Sequence, residues 1–116
     1  MFPALIERGA GMDPLHLTTS RHNETLTVAV SGELDIATTE LLRTHLLELL
    51  QEAGHRHKAT LVIEVSKLSF IDAAGLGILV AAQNLALRQR TRLRIAGVPP
   101  GMKRLLRITG LDAHFS

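Results

Sequence analysis

The sequence predicts one α/β domain: a mixed β-sheet with packed helices in the order ββαβαβα, with room for a short last strand. Three observations predict it. Leu26, Val28 and Val30 alternate with Thr25, Thr27 and Ala29, the period-two pattern of a strand with one buried face. Leu42, Leu46, Leu49, Leu50 and Ala53 recur at the spacing of a helix that lays one apolar stripe on a sheet. Thr60 to Val65 is apolar except for Glu64, which suits a strand buried on both faces of a parallel sheet. Helices lying between such strands imply right-handed crossovers, which leave few alternative topologies.

Taken in order, residues 1–13 hold Pro3, Gly9 and Gly11 and run into Pro14, a composition that opposes a long regular element and predicts a flexible leader before a domain of residues 14–116. Two β-prone runs, Leu15 to Thr19 and Thr25 to Val30, flank Arg21-His22-Asn23-Glu24 and predict a hairpin. Gly32 is placed to let the chain turn. Asp35 is placed to cap a helix from about Ile36 to Ala53, with Gly54 as its stop. After the basic connector His55-Arg56-His57-Lys58 and the Thr60–Val65 strand, Asp72 sits at the N-cap of a second helix, Ala73 to about Arg88. Leu76, Leu79, Val80, Gln83 and Leu87 fall on or near one of its faces. Gly75 and Gly77 cost helix propensity and predict close approach to a neighbouring strand or an outside partner. Arg90, Arg92 and Arg94 alternate with Thr91, Leu93 and Ile95 along a strand ending near Val98. Pro100 suits the first position of a last helix to about Thr109, capped by Gly110, and residues 113–116 leave room for a final strand.

Composition removes several classes of function. The 116 residues are 46% hydrophobic and 21% charged, enough for one domain to bury about two thirds of its unfolded surface. Three Phe, no Tyr and no Trp make the core aliphatic and remove the aromatic platforms on which single-strand nucleic-acid binders stack bases. A net charge of +2 argues against direct nucleic-acid binding. Without cysteine there is no disulfide and no thiolate metal site, and no apolar run approaches the ~20 residues of a spanning helix. The expectation is a cytoplasmic protein that does not insert into membranes.

The candidate chemistry is sparse. Asp72 has no His or second acid at a recognisable catalytic spacing, so it reads as a cap and not as a catalytic residue. His55 and His57 on a basic loop lack an acidic or Cys companion and read as a solvated connector; no metal is expected. The three arginines suit a phosphate or acidic-partner clamp, weighed against an ordinary solvent-facing strand. Gly75-x-Gly77 opens a helix without a P-loop lysine or a dinucleotide fingerprint. No enzyme can be assembled and no cofactor is implied.

Three segments, in order along the chain, resemble the STAS domain of bacterial anti-sigma factor antagonists and of some transporter subunits. Asp72-Ala73-Ala74-Gly75-Leu76 is similar to that family's Asp-Ser-Ser/Thr-Gly-Leu signature, and Ser31-Gly32-Glu33-Leu34-Asp35 to its Gly-Glu-Leu-Asp turn. Residues Pro99 to Leu106, followed by Thr109-Gly110-Leu111, resemble its last strand-to-helix passage.

The resemblance implies the same fold and a partner, an anti-sigma factor with an ATPase-type kinase fold whose release frees a sigma factor for transcription. The implied contact surface is Asp72, Ala73, Ala74, Gly75 and Leu76 with the face around Glu33, Asp35 and Thr38. In this family the residue after the motif's Asp is a phosphorylated Ser or Thr. Here it is Ala73, followed by Ala74, so phosphoswitching at the motif is chemically excluded and a constitutive or differently regulated binder is expected. Thr38, Thr39 and Ser69 are substitute acceptors by composition, although capping explains hydroxyls at such places. Two other readings stand beside this one: an accessory subunit of a transporter, and a self-associating scaffold or homodimer.

Overall fold

Leu26, Val28 and Val30, the buried half of the predicted alternation, form the inner seam of a four-stranded sheet. The computed structural model describes residues 14–56 and 58–109. Its elements are β1 (His16–His22), β2 (Thr25–Leu34), α1 (Thr39–Gly54), β3 (Thr60–Ile71), α2 (Ala73–Gln89), β4 (Arg92–Ala96) and α3 (Pro100–Thr109), the ββαβαβα order expected. The strands lie side by side as β1-β2-β3-β4, with β1 antiparallel to β2 and the other pairs parallel. The predicted leader, His57, the Gly110 cap and the final strand at 113–116 lie outside the described residues.

The hairpin is tighter than its polar linker implied. β1 continues through Arg21 and His22, leaving Asn23 and Glu24 as the turn, with Asn23 at φ 55°, a conformation asparagine tolerates. β2 runs on through Gly32, which therefore does not turn the chain. Its register against β3 slips between Ala29 and Ser31 and again between Gly32 and Glu33. At Gly32 φ is +93°, and a Cβ would stand 2.0 Å from the Pro14 carbonyl oxygen. A bulge passing another backbone makes the same demand for glycine as a turn, and sequence alone cannot separate them.

All five residues of the α1 stripe are buried, in one cluster with Leu26, Val28 and Val30 of β2 and Leu61, Ile63 and Val65 of β3. Each such side chain contributes about 1.5–3 kcal/mol on burial, so this aliphatic seam dominates the stability. β3 departs from the expectation of two buried faces: Thr60, Val62 and Glu64 are only half-buried. The carboxylate of Glu64 stays on that outer face and accepts hydrogen bonds from the Ser66 amide (3.1 Å) and hydroxyl (2.7 Å).

Helix ends supply three further corrections. α1 begins at Thr39 and not at Ile36, because Asp35 closes a turn of its own before the helix starts. Gly54 is the last helical residue; the cap is His55, in right-handed backbone. Arg90 belongs to no strand: it caps α2 in left-handed backbone, which leaves Arg92 and Arg94 exposed beside buried Leu93 and Ile95 in β4. Within α2 the buried positions are Gly75, Leu76, Leu79, Ala82 and Ala86, while Leu87 is 65% exposed. So many small apolar residues leave the helix without a polar face to fix its phase, and alanines take the contact side. Among the described residues no helix is long and apolar enough to cross a membrane.

The edge strand β1 is tied down by side chains from α1. Thr19 Oγ1 lies 2.6 Å from His45 Nε2, and the Arg21 guanidinium donates twice to the Glu52 carboxylate, each at 2.8 Å. Those hydrogen bonds hold the Glu52 carboxyl below the usual glutamate range. A carboxyl with a depressed folded pKa contributes stability that is present above its unfolded pKa and is lost as pH falls through the folded one. Urea denaturation across acid pH should therefore show Glu52→Gln less stable than the wild type near neutrality, with the gap closing once Glu52 is protonated; a gap independent of pH would contradict this account.

Candidate functional site

The site begins where β2 and β3 end together, at the paired residues Leu34 and Ile71. The loops that follow must meet, and Asp72 joins them. Its amide donates to the Leu34 carbonyl (3.2 Å), and its extended backbone (φ −112°, ψ −175°) aims the carboxylate back over the first turn of α2. Oδ1 accepts the Gly75 amide at 2.9 Å, and Oδ2 accepts the Ile36 amide at 3.1 Å. One carboxylate thus caps α2, as predicted, and also holds the β2–α1 loop 36 residues away in sequence.

That loop is closed from within. Asp35 is only 5% exposed; its Oδ1 accepts the Ala37 amide (2.9 Å), and its carbonyl accepts the amides of Thr38 and Thr39, both at 3.0 Å. The Thr38 hydroxyl donates to the Glu33 carbonyl (2.9 Å) and accepts the Asp35 amide (3.0 Å), while the Thr39 hydroxyl donates to the Ile36 carbonyl at 3.3 Å. Both threonine hydroxyls are therefore working parts of the turn.

The two glycines of α2 differ. A Cβ at Gly75 would stand 2.7 Å from the Leu34 carbonyl oxygen and within 2.9 Å of the Leu34 and Ile71 side chains, so only glycine lets α2 approach both strand ends this closely. A Cβ at Gly77 would meet nothing within 4 Å. The close-approach reading therefore holds for Gly75 alone within this chain. Gly77, exposed and one turn beyond exposed Ala73, keeps the outer surface of the helix start flat.

All the sequence-derived site residues thus gather at one end of the sheet, but at different depths. Asp35, Gly75 and Leu76 are buried; Glu33, Thr38, Asp72 and Ala74 are half-buried; Ala73 is exposed. Two neighbours were not legible as site residues. Ile36 is 79% exposed at the tip of the clamped loop, and Phe70 is 49% exposed just before Asp72. The available signal was that neither is needed to complete an apolar period; Ile36 had been absorbed into a helix that begins three residues later. Large apolar side chains held outward beside a turn whose polar groups are internally satisfied form a surface suited to protein contact. Among the described residues no group of three His, Asp, Glu or Cys could hold a metal.

Comparison with known proteins gives a consistent set. The family model described as "Mlab, STAS domain" matches residues 17–115. The chain is 32% identical over 97 residues to an anti-sigma-B factor antagonist of Staphylococcus epidermidis, covering 84% of this chain and 86% of that one. It is 30% identical over 97 residues to an anti-sigma F factor antagonist of Paenibacillus polymyxa, covering 84% and 80%. Among solved structures, an anti-sigma factor antagonist from Mycobacterium paratuberculosis superposes with a TM-score of 0.74 at 28% identity, covering 89% of this chain and 84% of that one.

The geometry sets two expectations. Asp72→Ala removes a cap and the tie between the loops and should cost about 1–2 kcal/mol in chemical denaturation; amide hydrogen exchange should speed up at both Ile36 and Gly75, and protection retained at Ile36 would remove the clamp from the account. Gly75→Ala should destabilise by about 1–3 kcal/mol through overpacking, whereas Gly77→Ala, which meets open space, should stabilise by about 0.5–1 kcal/mol. Equal effects of the two alanines would contradict the packing assigned to them.

Proposed function

The chain belongs to the STAS domain family, and from that premise we propose that it is an anti-sigma factor antagonist acting in the cytoplasm, with an anti-sigma factor of ATPase-type kinase fold as its partner. It is a binding protein and not an enzyme. The names of its relatives support the antagonist reading. The observation that carries the choice of surface is Ala73: exposed, at the first position of α2 and directly after Asp72, whose carboxylate holds the amide of exposed Ile36.

On this reading the residues of the site divide by task. Asp72, Asp35, Thr38 and Gly75 hold the shape of the two loops, and Ile36, Phe70, Ala73 and Gly77 offer the apolar contact. A phosphate ester at position 73 would add about −1.5 to −2 charges to that contact. Ala73 and Ala74 have no hydroxyl to receive one, and the hydroxyls of Thr38 and Thr39 are committed within the loop. The complex is then constitutive, or regulated by something other than phosphorylation at the motif.

Affinity capture from the native host, followed by binding measurements on the purified partner, tests this. The wild type should bring down a kinase-fold anti-sigma factor. Ala73→Glu, which puts a charge into the contact, should weaken that complex by about tenfold or more. Intact mass after incubation with the captured kinase and ATP should show no added phosphate. Capture of transporter subunits, or of further copies of this chain only, would defeat the reading; one added phosphate that releases the partner would defeat its constitutive part.

A further inference from the structure

We propose that a basic cavity at the end of the sheet opposite Asp72 is a binding site for a small oligophosphate anion. The parallel strands begin there, with Thr25, Thr60 and Arg92 in register. A concavity of about 890 Å³ opens between the last turns of α1 and α2, and its wall carries His55, Arg56, Lys58, Arg90 and Arg92. Among its described lining residues none is acidic and none is Phe, Tyr or Trp. Among the described residues, the side chains of Lys58, Arg90 and Arg92 have no hydrogen-bond or ion-pair partner. Glu52, the acid whose charge Arg56 feels, is already engaged by the two hydrogen bonds from Arg21.

Backbone geometry fixes where two of these cations stand. Lys58 (φ 68°) and Arg90 (φ 61°) both stand in left-handed backbone, which L side chains adopt at a cost and which at a helix end such as that of α2 usually falls to glycine. Cations occupy both positions, and both line the same cavity. At Arg90 this backbone ends α2, its amide and that of Thr91 turning back to the Leu87 and Ala86 carbonyls; neutralising helix ends does not account for the further arginine, Arg92, that the start of a strand adds to the same lining. The walls are also fixed in advance: the Gln89 side-chain amide donates to the Leu50 carbonyl of α1 (2.8 Å) and to Thr91 Oγ1 (2.6 Å), joining the two helix ends.

The chemistry of the lining selects the ligand class. Guanidinium and ammonium groups donating into one concavity match phosphate oxygens. Their distribution over three segments fits an anion with more than one phosphate group. The cations of the lining act on the phosphates, and recognition rests there.

Inorganic tripolyphosphate is the probe, titrated into the full chain by calorimetry at low and at physiological salt, with orthophosphate for comparison. Saturable binding at one per chain is expected, about tenfold or more tighter than orthophosphate, with a Tm that rises with ligand concentration. Arg92→Ala, Lys58→Gly and Arg90→Gly, each assayed where circular dichroism shows it folded, should weaken binding by about tenfold. Arg107→Ala, an equal loss of charge at an exposed position of α3, should not. Absence of saturable binding, unchanged affinity in the cavity variants, or an equal loss in Arg107→Ala would overturn the proposal, the last by reducing it to general charge attraction.

Discussion

The Asp72 carboxylate is the constraint on which the end of the sheet where β2 and β3 finish depends. A helix start and a loop from the preceding crossover each present an unsatisfied amide, and the two oxygens of one side chain take one each, at 2.9 and 3.1 Å. That is feasible only because the strands beneath end in register and because Gly75 lets α2 settle against Leu34 and Ile71. The clamp follows from sheet register and close packing, and its consequence is a rigid two-loop surface with its polar groups turned inward. Such preorganisation lowers the ordering cost of binding, which weighs heavily for a surface this small.

The sheet makes the clamp possible without supplying specificity of its own. Its inner face is a continuous aliphatic seam shared with α1 and α2, and its outer face is left to half-buried threonines, Val62, Glu64 and two arginines. Among the described residues β1 pairs with β2 alone, and Arg21, Thr19 and their partners on α1 fasten it to the layer above. Stability is thus concentrated in the β2–β3 centre, and the two ends of those strands are free to differ in character. One end is apolar and internally satisfied around Asp72. The other is cationic, with arginine and lysine in the strained backbone of two connections.

The segment that resembles the family's signature holds the parts that give this turn its shape: the capping Asp72 carboxylate, the close-approach Gly75 and the buried Leu76. Ala73 and Ala74 carry no hydroxyl, and every hydrogen bond of the Asp72 clamp is made without their side chains.

By itself the sequence determined the order of elements, the aliphatic stripe of α1, the Asp72 cap and the span of α2, because each rests on local periodicity or on contacts between residues three or four apart. The segments that resemble the STAS signature lie together at the ends of the central strands. Tertiary structure alone decided the rest. Gly32 became a bulge because Pro14 passes beside it, and Asp35 became a loop brace because the Glu33–Thr38 turn closes on itself before the helix begins. β3 kept one face half-exposed, since an apolar run does not say how many layers will cover it. The second hydrogen bond of Asp72 and the cavity that Lys58 and Arg90 both line bring together residues far apart in the chain. No spacing rule encodes such pairs; they exist only once strand register and helix packing have fixed which chain ends meet.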